Sequence, residues 1–159
     1  MNEKAKVTLY TDGACSGNPG AGGYGAILVH VDTNGVKHEK EFSQGYKMTT
    51  NNQMELLAVI IGLEALKKPC SVKIVSDSKY VVDSIDKGWL DNWAAKGWKK
   101  SSNKPVPNSD LWKRLIKAKE PHDIELEWIK GHAGHEYNER CDRLAVNAYK
   151  QENLKTEIA

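Results

Sequence analysis

The sequence predicts an α/β fold: a five-stranded mixed sheet, three antiparallel strands followed by two parallel ones, flanked by helices. Two observations predict it. Three alternating segments come first, joined by a glycine-rich stretch and an Asp-Thr-Asn-Gly turn, as an antiparallel meander requires. Beyond them the order becomes helix, strand, several helices, strand, helix, which implies a mixed sheet covered by helices.

The elements follow in chain order. KVTLYTDG alternates and reads as a strand ending near Asp12, ahead of a glycine-rich loop, GACSGNPGAGG. YGAILVHVD is the second strand. Asp32 to Gly35 marks a hairpin, because Asn-Gly supplies the positive φ that tight turns need, and VKHEKEFSQGY is the third strand. In TTNNQMELLAVIIGLEALKKP, Thr50 and Gln53 have capping-box spacing, and Met54, Leu57, Ala58, Ile61 and Ala65 form a helical stripe. This helix stops before Pro69 and is apolar almost all round from Leu56 to Ile61, so it belongs beneath a sheet. SVKIVSD is a fourth strand ending at Asp77, followed by a short helix in SKYVVDSIDKG. The tryptophan-rich segment holds another short helix and a lysine-rich loop. Leu111, Trp112, Leu115 and Ile116 mark a helix, DIELEWIK a fifth strand, and GHAGH a loop. The last helix carries Tyr137, Cys141, Leu144, Ala145 and Ala148 on one face, and the polar tail from about 151 to 159 is expected to fray.

With 159 residues, about two-fifths of them apolar, the chain is expected to form one domain around one core. No apolar run approaches the ~20 residues that span a bilayer, and MNEKAKVTLYTDG lacks the features of a secretory signal. A cytoplasmic monomer is expected. Cys15, Cys70 and Cys141 are widely spaced, with no CxxC pair, and read as reduced small residues. The net charge of +2 does not by itself imply a nucleic-acid partner. Its distribution says more: Lys87, Lys96, Lys99, Lys100 and Lys104 share a stretch with Trp89, Trp93 and Trp98 against the single acid Asp91. Gly20 to Gly25 (GAGGYG) fits a dinucleotide-binding pattern, but it runs into the strand AILVHV rather than opening a helix, which rejects that reading.

Four acids are the candidate chemistry. Asp12 and Asp77 end strands, where open α/β sheets place ligands. Glu55 lies near the start of an apolar helix, and Asp142 at the edge of the last helix's apolar stripe. Each has a plain alternative as a turn residue, a helix-start acid or an exposed helical position. Brought together, they would repel one another by several kcal/mol unless protons or cations compensate. With no Cys/His set beside them, hard divalent ions, Mg2+ above all, suit these oxygen donors.

YTDGACSGNPGAGGYGAIL, TTNNQMELLAVIIGLEAL, VSDSKYV and KGHAGHEYNERCDRLA together resemble bacterial ribonuclease HI, a type 1 ribonuclease H, over nearly the whole chain. The resemblance implies a ribonuclease H-like fold and an endonuclease that cuts the RNA strand of an RNA/DNA hybrid, leaving 5′-phosphate and 3′-hydroxyl ends. It implies two Mg2+ ions, with Mn2+ as a substitute, held by Asp12, Glu55, Asp77 and Asp142. The family's catalytic-loop histidine falls on His132, and His135 is left structural. Gly13, Cys15, Asn18, Asn51 and Asn52 match residues that read the 2′-hydroxyl, and Thr50 matches a DNA-phosphate pocket. Trp89 and Trp93 match a basic substrate handle, with duty shared between substrate and core; Trp112 and Trp128 are expected in the core. Neither a membrane nor an obligate protein partner is implied. The chain departs from the pattern at Met48 and Gln53, where relatives often carry arginine, and at Ala94 and Ala95, where they carry a denser basic run. Fewer phosphate contacts imply weaker binding.

Overall fold

The central strand is β1 (Ala5–Cys15), because it alone joins the two halves of the sheet. In the computed structural model, which describes residues 4–100, 104–131 and 134–158, β1 pairs antiparallel with β2 (Gly20–Val31) and parallel with β4 (Cys70–Ser76). Outside these, β3 (Lys37–Thr49) pairs antiparallel with β2, and β5 (Asp123–Trp128) pairs parallel with β4. The order β3-β2-β1-β4-β5 is the mixed sheet the sequence predicts.

The predicted glycine-rich loop is mostly strand. Gly13 pairs with Tyr24, Ala14 with Gly23 and Cys15 with Gly22, which leaves Ser16 to Pro19 as the connection. Glycine marked flexibility in the sequence, whereas here it marks close approach. GAGGYG accordingly lies within β2. At the second hairpin only Gly35 takes a positive φ, and the Asp32 carboxylate organises the turn by accepting the Asn34 and Val36 amides at 2.9 and 3.0 Å.

Helix α1 (Asn51–Glu64) starts as its capping spacing predicts: Thr50 Oγ1 accepts the Gln53 amide at 3.2 Å. The Gln53 side chain turns instead to Thr49, whose hydroxyl donates to it at 2.9 Å. The helix is apolar all round because it is covered all round. The sheet lies on one side, with Leu9 pressed on Gly62, and α4 (Ser109–Lys119), bearing the buried Trp112 and Leu115, packs on another. Arg114 of α4 grips Glu64 of α1 with two hydrogen bonds, at 2.8 and 2.7 Å. Between β4 and α4 come the short helices α2 (Lys79–Asp86) and α3 (Trp89–Ala95).

Helix α5 (Glu136–Tyr149) covers the opposite face, where Tyr10 of β1 stacks on Tyr137 at 4.4 Å. Its backbone lies almost on the sheet. A Cβ at Gly25 would stand 2.3 Å from the Cys141 carbonyl, one at Gly23 2.6 Å from that of Ala145, and one at Gly45 2.2 Å from that of Ala148.

The tail expected to fray is instead tied to the edge strand. Lys155 donates to the Gly45 carbonyl at 3.0 Å and accepts from the Lys47 amide at 2.9 Å, while Ile158 packs against the core. An edge strand offers free backbone groups, and Ile158 supplies burial that helps hold the pairing. Among the described residues no helix is long and apolar enough to cross a membrane.

Gly25→Ala is expected to lift α5 from the sheet and cost about 1–3 kcal/mol, the usual penalty of overpacking. Urea denaturation should show this as a lower midpoint at unchanged slope; an unchanged midpoint would mean that the close packing carries little energy.

Candidate metal centre and nucleic-acid interface

The parallel ladder between β1 and β4 ends at the pair Tyr10 and Val75. Beyond it the two strands part, with β1 still paired to β2 through Cys15. Asp12 lies just past the parting point, in the strand interior rather than at the strand end that its sequence context suggested. Asp77 follows the last residue of β4. A crevice where neighbouring strands diverge is where open α/β sheets hold ligands.

Glu55 enters this crevice from the first turns of α1, which sit directly on β1. A Cβ at Gly13 would be 2.7 Å from the Glu55 nitrogen, so glycine there is a condition of the approach. Gly131 does the same for Asp77, whose Oδ2 lies 2.8 Å from the place its Cβ would take. Asp12, Glu55 and Asp77 each offer an oxygen, and the three oxygens lie within 4.8 Å of one another. Asp142, half-buried on α5, lies outside that group of three, yet its charge acts on Asp12.

The electrostatics follow. Burial, then the charges of Asp77 and Asp142, push the Asp12 carboxyl up to about 8, against the opposing hydrogen bonds from the Gly13 amide and Glu55. The Gly13 amide donates to Asp12 Oδ1 at 2.9 Å. Burial first, then Asp12 and Asp77, hold Glu55 well above the usual carboxylate range. Its Oε2 is sealed from solvent and has no hydrogen-bond partner among the described residues. An orphaned acceptor among crowded acids is what a bound cation or a proton would satisfy.

The expected substrate residues gather around the start of α1. Cys15 Sγ faces the Gly20 and Thr49 carbonyls at 3.6 and 3.4 Å, and the Asn51 amide donates to Asn18 Oδ1 at 3.2 Å. Asn51 and Asn52 are exposed, and Gly13 lies against Met54 and Glu55 in the same first turns of α1. An anion at the mouth of this helix would meet amides already engaged by Asn18 and Thr50.

The tryptophans divide differently from expectation. Trp112 is buried, as expected, and Trp89 is 42% exposed with the Lys87 ammonium 5.6 Å from its ring centre. Trp93, expected to share duty, is part-buried, packing on Trp112 at 5.7 Å between ring centres and bordering Lys96, Lys99 and Lys100 at the surface. Trp128, expected in the core, is 43% exposed. Edge strand β5 carries it past the end of the apolar layer, where its indole N–H holds the Asp77 carbonyl at 3.0 Å and Lys79 lies over its ring at 4.8 Å. Its position beside Asp77 is the site feature the sequence reading missed; β5's alternation placed it inward, and no local signal tells where the core stops. Met48 is 65% exposed, and Ala94 and Ala95 are exposed too, so three of the four positions that lack the usual basic residue face solvent, while Gln53 is part-buried against Thr49. His135 occupies the N-cap position of α5, and His132 lies outside the described residues.

A mixed sheet of this order carries at its central crevice crowded oxygen donors of the kind that could hold a hard divalent ion. Comparison with known proteins narrows the class. Residues 4–150 match the RNase H family. The chain is 59% identical over 150 residues to the ribonuclease H of Lachnoclostridium phytofermentans, covering 94% of this chain and 95% of that protein. It is 53% identical over 153 residues to that of Desulforamulus reducens, covering 96% and 93%. Among solved structures, LC9-RNase H1, described as a type 1 RNase H with the type 2 active-site motif, superposes with a TM-score of 0.86 at 31% identity, over 96% of this chain and 76% of that one. The chain belongs to the RNase H family, metal-dependent nucleases that degrade the RNA of RNA/DNA hybrids.

Because Asp12 in the folded, metal-free protein keeps its proton up to about pH 8, while the unfolded chain releases it near pH 4, the unfolded state binds fewer protons between those values. Stability in EDTA should therefore fall as pH rises from about 4 to about 8. Asp12→Asn should lessen this slope, with the raised Glu55 carboxyl keeping its share, and stand a few kcal/mol above wild type at pH 8. Thermal melts in EDTA across that range check it; parallel curves for the two proteins would contradict it.

Proposed function

We propose that the chain is an endoribonuclease that hydrolyses the RNA strand of RNA/DNA hybrids with two Mg2+ ions, giving 5′-phosphate and 3′-hydroxyl ends. What supports this reading is the oxygen-only cluster of Asp12, Glu55 and Asp77, with the sealed Glu55 Oε2 that has no hydrogen-bond partner among the described residues, in a member of the RNase H family. All its donors are hard oxygens, so the set fits Mg2+, with Mn2+ a substitute. Bound there, a pair of ions supplies an activated water and neutralises charge at the leaving oxygen.

The chain's own residues do the rest. Asp12, whose carboxylate meets both Glu55 and Asp77, would hold the ions together with Glu55, Asp77 and Asp142. Because burial and neighbouring charges raise the Asp12 and Glu55 carboxyls, ion binding there would compete with protons. His132 handles the proton of the attacking water or of the departing product, as an imidazole with an ordinary pKa of about 6.5 is able to. Gly13, Cys15, Asn18, Asn51 and Asn52 read the RNA strand's 2′-hydroxyls in the shallow minor groove. Thr50 at the α1 start meets a phosphate of the DNA strand. Trp89 offers an exposed ring to that strand, while Trp93 braces the handle from within. The enzyme acts as a cytoplasmic monomer, needing no protein partner or membrane.

End-labelled RNA/DNA hybrid, double-stranded RNA and double-stranded DNA, each with Mg2+ and then EDTA, test the activity. Only the hybrid should be cut, and only with metal; cleavage of duplex DNA, or hybrid cleavage that survives EDTA, would sink the proposal. Asp12→Asn should lose turnover while still binding hybrid. For the interface, Met48→Arg should tighten hybrid binding and steepen the slope of log K against log salt by roughly 0.9, the increment of one added phosphate contact. An unaltered slope would place Met48 off the substrate path.

A further inference from the structure

His30 of β2 and His38 of β3 stand directly opposite each other in the sheet register, near the hairpin turn and away from the carboxylate cluster. Opposed residues on neighbouring strands project to the same face, with Cβ atoms about 4.5–5.5 Å apart. Their rings are 6.3 Å apart centre to centre and 22° from parallel. They border an open cleft of about 540 Å³ lined also by Val7, Leu28 and Leu66, with Glu39 and with Lys40, Lys67 and Lys68 around it, which leaves room for an ion and its waters.

Each ring has one nitrogen committed to a group that can only accept. His30 Nδ1 is 3.1 Å from the Lys6 carbonyl oxygen, and His38 Nε2 is 2.8 Å from Asp32 Oδ2. The hydrogens must therefore sit on those two nitrogens. Asp32 is itself fixed, because its Oδ1 accepts the Asn34 and Val36 amides, so Oδ2 is aimed at His38 by the turn. The His38 hydrogen bond and these amides hold the Asp32 carboxyl below its usual range, as an ionised acceptor. In their neutral forms the rings present lone pairs at His30 Nε2 and His38 Nδ1. Metal-binding histidines carry this same arrangement: the second ring N–H is given to a carboxylate or a backbone carbonyl, which orients the ring and strengthens the donor nitrogen.

We propose that His30 and His38 form a second metal site, specific for borderline divalent ions such as Ni2+, Zn2+ or Cu2+ and separate from the carboxylate cluster. Imidazole nitrogen favours these ions, whereas the oxygen-only cluster favours Mg2+, so the two sites sort metals by chemistry. An ion held by both rings, with waters filling its other positions, would link β2 to β3 beside their turn.

The test is a Ni2+ titration of the 15N-labelled full chain in excess Mg2+, followed by paramagnetic broadening of assigned amides and by calorimetry. Broadening should begin around His30, His38 and Asp32 with one ion bound. His30→Gln and His38→Gln should each abolish that broadening and weaken Ni2+ binding at least about tenfold, and Asp32→Asn should weaken it about 10–100-fold while both rings remain. All three residues are remote from the carboxylates, so Mg2+-dependent hybrid cleavage should persist in the variants; the outcome does not depend on the proposed nuclease mechanism. Broadening that is centred on His122, His135 or the carboxylates, or that survives His30→Gln, would overturn the proposal.

Discussion

Mutual repulsion among Asp12, Glu55 and Asp77 is the interaction around which the rest of the structure is arranged. Three carboxyl oxygens within 4.8 Å of one another, shielded by the sheet and α1, oppose folding unless a proton or a cation intervenes. The raised Asp12 and Glu55 carboxyls show how the metal-free protein meets that cost, by retaining protons. Stability is thereby surrendered locally in exchange for a crowded set of oxygens that could hold a divalent ion. The large apolar layer between the sheet, α1 and α4 makes such a concession tolerable, since it supplies burial that the site does not.

Glycine is what allows the acids to meet. Gly13 brings the start of α1 onto β1 and with it Glu55, while Gly131 clears the space beside Asp77. Gly23, Gly25 and Gly45 let α5 settle onto the sheet, which sets the distance from which Asp142 acts on Asp12. Any side chain at Gly25 would push against the backbone of the very turn that carries Asp142. Rotamer adjustment cannot relieve a clash with backbone, so packing and electrostatics at this centre are coupled through main-chain approach.

Around the cluster the polar surface is arranged by local chemistry. Asn18 and Thr50 take up amides at the start of α1, which stiffens the rim next to Gly13 and Cys15. On the other flank Trp128 fixes the Asp77 carbonyl from an exposed edge position and shares its ring with Lys79. The basic, tryptophan-bearing segment is partly a structural strut, since Trp93 leans on Trp112, and partly open surface, since Trp89 does not.

What the sequence determined by itself is what short-range periodicity and turn chemistry encode. Thr50 and Gln53 announced the start of α1, DTNG the second hairpin, and alternation the strands, so the mixed sheet was legible before any contact was known. The four acids could be singled out only through the family motifs that surround them; their spacing left each with an ordinary explanation. Tertiary structure decided the rest, because the deciding quantities are distances between segments remote in the chain. It turned the glycine loop into strand, drew the tail onto β3, moved Trp128 out of the core, leaned Trp93 part-buried on Trp112, and brought Asp12, Glu55 and Asp77 into one crevice with Asp142 standing slightly apart. Local pattern fixes which face a residue takes, but where a core ends and how closely two backbones approach depend on what lies across from it.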